Sequence, residues 1–338
     1  MPGMGYAIDT EIQRFEALLV KASQRFDVSL EVPYGGILTP KGHRKVGERD
    51  IGLTLMGLTH GNEWAGVAVL SGVLELLIAG ALDLRIPVAF VLGNPWAAKQ
   101  AKRFLERDLN RSFGRGSVAT FEEKRALELE PLLARTAYLV DFHQTMQPTD
   151  RPFFIFPHRS DGVQLARAIA PHQTIVTHWG KSFSADGKCT DEYVNGAGGL
   201  GLTIELGQNG FDAYQIAVGQ EAALWAIAVA TARQGGMTLD EFIQNRPAPE
   251  PEIYTWLDIV PWPDRGVVQL DPGWTNFRKV EKGEKLGEVD GRTIYSRAEG
   301  RILFPKYLTP EQQSATTGRP AELIRVMRRV SLADLPKD

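Results

Sequence analysis

The chain has 338 residues, 43% of them hydrophobic, enough for one large domain or two with a sizeable core. Its 38 Lys+Arg against 41 Asp+Glu leave a formal net charge of −3, which offers no general attraction for a nucleic-acid backbone. The single cysteine, Cys189, excludes an intrachain disulfide. With no secretory leader and no apolar stretch of spanning length, the composition predicts a soluble cytoplasmic protein without nucleic-acid or membrane partners.

Residues 12–26 carry an amphipathic helical pattern, read as a surface helix buried on one side. From there to about residue 245 short apolar runs alternate with helical patterns, the rhythm of an α/β layer structure. Residues 51–58 read as a buried strand and 64–77 as a helix with a continuous apolar face, leaving His60 and Glu63 in the turn between them. Residues 86–92 form a second strand candidate, followed by Asn94-Pro95 and the string Arg103-Phe-Leu-Glu-Arg-Asp-Leu-Asn-Arg111. A third, 137–142, runs straight into His143, and a fourth, 201–206, carries Glu205 near its end.

Beyond residue 245 the pattern changes. Pro247, Pro249 and Pro251 withdraw amide donors and fix φ, so a boundary is expected there, between a catalytic unit at 1–245 and a mainly β accessory unit at 246–338. Short stretches at 266–270, 285–289, 293–296 and 301–304, separated by glycine-containing turns, suggest a compact barrel or sandwich. No CxxC pair, helix-turn-helix, dinucleotide fingerprint or phosphate loop stands in the sequence.

The chemistry gathers at the strand ends. A His-x-x-Glu turn converges an imidazole and a carboxylate on one ion, though such a pair also occurs as a plain hydrogen-bonded helix start. His143 is the best third ligand, because Asp141 shares its side-chain phase in a strand and can orient the ring from behind. His60, Glu63 and His143 leave a coordination position open, as a catalytic zinc needs. Glu205, outside that set, is suited to take a proton from water and return it to a leaving nitrogen; its other reading is a solvated carboxylate at a strand end. Arg103 offers a cation for a developing oxyanion, Arg111 a bidentate clamp for a substrate carboxylate and Asn110 neutral directionality, with Asp108 bracing the arginines. The same segment can instead be a charged helix face, since Arg103, Arg107 and Arg111 lie four apart. His43, His158, His172 and His178 read as ordinary packing or surface residues, and Cys189 has no adjacent histidine to activate it.

In their order, Gly57-Leu-Thr-His60-Gly-Asn-Glu63, Asn94-Pro95, Arg103 with Asp108-Leu-Asn-Arg111, Asp141-Phe-His143 and Ile204-Glu205-Leu-Gly207 resemble the succinylglutamate desuccinylase/aspartoacylase family of zinc-carboxypeptidase-like hydrolases. The resemblance implies an α/β fold with a mixed central sheet flanked by helices and a smaller C-terminal β domain that restricts the cleft. It implies one zinc ion per chain on His60, Glu63 and His143, with Glu205 as acid/base and Arg103 as the carbonyl-polarising group. Asn110 and Arg111 match substrate-carboxylate residues, and Tyr307, in Pro305-Lys-Tyr307, is the nearest candidate for a substrate-contacting tyrosine. The expected partner is a small anionic N-acyl amino acid or related amide; homo-oligomer formation stays open. The run Phe153-Phe-Ile-Phe-Pro157 departs from the segment that follows the histidine in named desuccinylases. Peptide-like or osmolyte-derived amides, and a non-catalytic zinc-bearing binding protein, therefore remain as alternative readings.

Overall fold

The computed structural model describes residues 4–43, 49–170, 173–179, 187–247, 249–314 and 320–337; His172 lies outside them. The chain opens with α1 (Met4–Lys21), which begins and ends earlier than the expected 12–26, since Phe26 starts the first strand; Ile12, Phe15 and Leu19 of the expected pattern, with Ile8 one turn before it, make its buried stripe. The antiparallel pair β1 (Phe26–Val32) and β2 (Gly35–Pro40) follows. Then come β3 (Ile51–Gly57), α2 (Ala65–Ala79), β4 (Val88–Leu92), the short α3 (Pro95–Lys99), α4 (Phe121–Ala134) and β5 (Thr136–Thr145). After these lie β6 (Phe153–Pro157), α5 (Ser160–Ile169), β7 (Thr174–His178), α6 (Thr190–Gly196), β8 (Leu200–Gln208), α7 (Ala213–Gln234) and α8 (Leu239–Gln244).

The apolar strands lie side by side because each is buried on both faces. β4, β3, β5 and β8 run parallel, while β2 joins β4 and β6 joins β8 antiparallel, which makes the sheet mixed. On one face α1, α2, α5 and α7 bury a large core with Leu53, Leu55, Val140 and Ile204. On the other, Ala126, Leu129 and Leu133 of α4 and Val194 of α6 pack on Ile51, Met56 and Leu139. None of the described helices is long and apolar enough to cross a membrane.

The remainder contains β9 (Ile253–Pro261), β10 (Val268–Leu270), β11 (Lys279–Val280), β12 (Lys285–Val289), β13 (Arg292–Tyr295), β14 (Gly300–Leu303), α9 (Pro310–Ser314) and β15 (Glu322–Val330). It is mostly β, and the proline-rich stretch is non-helical, as expected. Its strands do not all close among themselves, however. β9 pairs in parallel with β7, so the order β1-β2-β4-β3-β5-β8-β6-β7-β9-β15-β14-β11 is one twelve-stranded sheet among the described residues. Among the described residues, β10, β12 and β13 form a second sheet. The barrel-or-sandwich expectation misses this because the free edge of β7 lies about 75 residues upstream of its partner, and local patterning carries no record of it. A separate core still sits between the two sheets, built from Trp262, Trp274, Leu286, Ile302 and Val326.

Candidate active site

The turn after β3 is shaped by two close approaches. A Cβ at Gly66 would meet Gly57 Cα at 3.0 Å and Phe142 O at 3.1 Å, so glycine lets the start of α2 press against two strand ends. A Cβ at Gly61 would meet Ala98 N at 2.4 Å and Lys102 O at 2.5 Å, and the Gly61 N–H donates to Arg103 O at 2.8 Å. That contact ties the His60–Glu63 turn to the arginine segment.

His60, Glu63 and His143 are all buried, and one potential ligand atom from each lies within 4.8 Å of the others. His60 Nδ1 is 2.8 Å from Glu63 Oε1, and His143 Nδ1 is 2.9 Å from Oε2. The far nitrogens meet two further carboxylates: His60 Nε2 lies 3.0 Å from Asp108 Oδ1, and His143 Nε2 2.9 Å from Asp141 Oδ2. This is the orienting pattern expected of metal-bound imidazoles, with both Nδ1 atoms turned toward one point. His60 Nδ1 also fits an ion in a second respect. It is buried and, despite its distance from Glu63, makes no well-directed hydrogen bond. Two nitrogens, one of them this orphaned buried acceptor, and one carboxylate form a donor set suited to a single zinc.

The electrostatics agree. Burial opposes the charge on Glu63, yet His60 and His143 outweigh it and hold the carboxyl well below its usual range. Burial likewise opposes a charged His143, but Asp141 and Glu63 raise its pKa well above the ordinary value. Asp108, also penalised by burial, is held well below the usual carboxylate range by His60, Arg111 and Arg103. Asp141 accepts from Thr59 Oγ1 at 3.0 Å and from Thr190 Oγ1 at 2.7 Å, so its oxygens are fixed behind the His143 ring.

Glu205 stands directly beside His143 in the β5–β8 register. It is 8% exposed, and its Oε2 has no hydrogen-bond partner among the described residues. Burial first, and then the neighbouring Glu63, push its pKa up to about 7, against the pull of His143, His60 and Arg103. A carboxylate poised near neutrality beside a metal site is equipped to exchange protons.

The arginine segment is not a charged helix. Only Leu109–Arg111 forms a 3-10 turn, opened by Asp108 Oδ1 accepting from the Asn110 N–H at 2.8 Å. Arg103 Nη1 donates to Glu63 Oε1 at 2.8 Å. Its Nη2 lies 2.9 Å from His60 Nε2, but with Nδ1 turned to an ion that nitrogen carries a hydrogen for Asp108, so this contact is no hydrogen bond. Asn110 Oδ1 accepts from Thr190 N at 2.9 Å, and Arg111 Nη1 donates to Cys189 Sγ at 3.1 Å. Burial pushes the Cys189 thiol well above its usual pKa, which leaves it unsuited as a nucleophile. Tyr307 is turned into the C-terminal unit: its hydroxyl accepts from Trp274 N at 2.9 Å and donates to Asp271 O at 2.8 Å.

Three residues that hold the site together carry no sequence signal of their own. Glu122, fully buried on α4, accepts from the N–H groups of Leu105 (2.6 Å), Glu106 (3.1 Å) and Arg107 (3.0 Å) and from Asn94 Nδ2 (3.0 Å). Asn94 meanwhile caps α3 ahead of Pro95, which explains the Asn-Pro pair. Gln144 accepts from Ala65 N at 3.0 Å and donates to Gln208 O at 3.0 Å, joining the start of α2 to the end of β8. Asn276 donates to Gln147 O (3.1 Å) and Pro148 O (3.2 Å) and accepts from Phe304 N (2.8 Å), clamping the C-terminal unit to the loop after His143. Glu122→Gln should strand part of this amide cluster, at about 1–3 kcal/mol in unfolding free energy. By shifting Arg103 and Arg111 it should also lower kcat/KM about tenfold or more. Zinc content should not change, since no metal ligand is touched; parallel zinc analysis and kinetics check this.

The catalytic-domain model of the succinylglutamate desuccinylase/aspartoacylase family matches residues 50–228. A succinylglutamate desuccinylase of Pseudomonas putida (strain GB-1) is 28% identical over 306 residues, covering 79% of this chain and 87% of that protein. Among solved structures, the fold is similar to succinylglutamate desuccinylase from Vibrio parahaemolyticus, with a TM-score of 0.66 at 16% identity, covering 93% and 95% of the two chains. It is also similar to murine aminoacylase 3, with a TM-score of 0.59 at 22% identity over 84% of this chain and 97% of that one.

Proposed function

Because the chain belongs to the succinylglutamate desuccinylase/aspartoacylase family and is a zinc-dependent amidohydrolase of small N-acyl amino-acid-type substrates, we propose that it cleaves the amide of a carboxylate-bearing N-acyl amino acid, releasing a carboxylate and a free amine. The observation that carries this reading is Glu205, whose unpaired Oε2 is buried next to His143 and so to the three-residue metal site.

His60, Glu63 and His143 would hold the zinc, which supplies Lewis acidity toward the acyl oxygen and the attacking water. Glu205 takes a proton from that water and returns one to the leaving nitrogen, so no acyl-enzyme is needed. Arg103 faces the negative charge that develops on the acyl oxygen. Asn110 and Arg111 hold a substrate carboxylate, the first through its amide and the second through its guanidinium. Asp141 and Asp108 keep both imidazoles in the tautomer with Nδ1 open. Residues 246–338 act as an accessory unit that narrows the cleft, a reading supported by the Asn276 clamp. Tyr307 braces that unit from within, as its two hydroxyl bonds suggest.

The test is amine release by zinc-loaded protein from a panel of N-acetyl, N-succinyl and longer N-acyl amino acids; hydrolysis of none of them would remove the proposal. Arg111→Ala should lower kcat/KM for carboxylate-bearing substrates by about 10–100-fold, the size of one charge-assisted contact. For the corresponding amino-acid amides the loss should be much smaller. Equal losses on both would exclude a carboxylate clamp at Arg111.

A further inference from the structure

The proposed chemistry makes no use of the segment leading into α6, yet that segment touches both halves of the site. Three contacts hang the proposed carboxylate-binding pair on it. Lys188 N donates to Phe113 O at 3.0 Å, Arg111 Nη1 donates to Cys189 Sγ at 3.1 Å, and Thr190 N donates to Asn110 Oδ1 at 2.9 Å. Because only the amide oxygen can accept from an N–H, the last bond fixes which way the Asn110 amide faces.

Thr190 reaches the metal half as well. Fully buried, it donates through Oγ1 to Asp141 Oδ2 at 2.7 Å, and that same oxygen lies 2.9 Å from His143 Nε2. Thr59 also donates to Asp141, but at 3.0 Å to either oxygen, so its bond does not distinguish one from the other. The Thr190 bond does. The place of Thr190 is set from outside the site: a Cβ at Gly201 of β8 would meet Asp191 Cα at 2.7 Å and Asp191 O at 3.0 Å, so glycine lets the first turn of α6 lie against that strand. Gly201 N also donates to Asn195 Oδ1 at 2.9 Å, and Glu205 stands further along the same strand. β-Branching restricts χ1 of threonine, so this backbone placement carries through to the hydroxyl.

We propose that Thr190 is a positioning residue that ties the two halves of the site together. Its hydroxyl holds the Asp141 carboxylate in the plane that orients the His143 ring, while its N–H holds the Asn110 amide. The kinetic side of this inference rests on the N-acyl amino acid reading; the zinc side stands without it.

The experiment compares wild type with Thr190→Val and Thr190→Ser, and with Thr54→Val as a control. Thr54 Oγ1 and Thr136 Oγ1 lie 2.7 Å apart between β3 and β5, so the control also loses a buried hydroxyl contact, but none at the site. Zinc affinity is read by competition with a chelator, and kcat and KM at saturating zinc on the N-acyl amino acid that wild type cleaves fastest. Thermal unfolding of the metal-free proteins is recorded alongside. Thr190→Val keeps the side-chain size and the N–H but not the hydroxyl, and should bind zinc about tenfold more weakly, the lower end of what partners of metal-bound histidines contribute. Its kcat should fall about tenfold with KM within about twofold of wild type, because the backbone bond to Asn110 remains. Thr190→Ser should restore both, and Thr54→Val should leave both unchanged even where it lowers the unfolding temperature. Wild-type zinc affinity in Thr190→Val, a serine variant no better than the valine one, or equal weakening by Thr54→Val would overturn the inference, as would a raised KM at unchanged kcat. If wild type hydrolyses no N-acyl amino acid while the zinc affinities fall in the expected order, the hydrolase reading is lost and the positioning role stands.

Discussion

Glutamine at position 205 should lower kcat by about 10²–10⁴-fold, the usual contribution of a positioned general acid–base, while zinc content stays at one ion per chain. The two readouts separate because Glu205 lies beside the ligand set and contributes nothing to it. The pH profile supplies a sign as well. A base must be ionised to work, and burial and Glu63 place the Glu205 carboxyl at about 7 in the metal-free protein. A bound dication favours the ionised form, so kcat/KM should rise with pH along an acidic limb centred at or below that value. The limb should vanish in the variant. Linkage gives an independent check on metal-free protein, since a carboxyl at about 7 when folded and near 4.5 when unfolded costs stability as pH rises across that interval. Unfolding measured at pH 5 and pH 8 should therefore show wild type losing stability relative to Glu205→Gln at the higher pH. Parallel pH dependences would contradict the buried position of this group.

The second large effect concerns His143. In the metal-free protein Asp141 and Glu63 overcome burial and keep the ring protonated well above the ordinary histidine range. Zinc must displace that proton, because Nδ1 faces both the ion's position and Glu63. Below the raised pKa, zinc affinity should therefore fall about tenfold for each unit of pH lowered, with about one proton released per ion bound. Calorimetry in buffers of different ionisation enthalpy measures both quantities. His143→Ala removes a ligand and should take zinc content and hydrolysis to background together, while circular dichroism stays near that of wild type. A His143→Ala protein that keeps its zinc would remove His143 from the site.

Which of these features the sequence reveals follows from how local their causes are. Residues 51–58 and 137–142 announce strands because a strand buried on both faces needs an unbroken apolar run, and β3 and β5 occupy those positions. His60, Glu63, His143 and Glu205 stand out as polar groups at the ends of such runs, and folding gathers them because parallel strands share an end. Asp141 is legible from phase alone, two residues before His143. Glu122, Gln144 and Asn276 are not legible, since each acts through backbone groups 15 or more residues away and nothing in its neighbourhood distinguishes it from a surface side chain. The same limit hides the pairing of β9 with β7. It also hides the direction of Tyr307, whose hydroxyl bonds to Trp274 and Asp271 within the C-terminal unit. The Arg103–Arg111 spacing suggests a helix, but the amides of 105–107 bond to Glu122 instead of to one another, and the segment stays irregular.

One zinc ion per chain is expected between the Nδ1 atoms of His60 and His143 and the carboxylate of Glu63. Anomalous diffraction at the zinc edge from crystals of the zinc-loaded protein tests it most directly. A single peak per chain is expected, about 2.0–2.1 Å from both Nδ1 atoms and about 2.0–2.2 Å from a Glu63 oxygen. A peak located elsewhere, or coordination through Nε2 with Asp108 and Asp141 displaced, would contradict it.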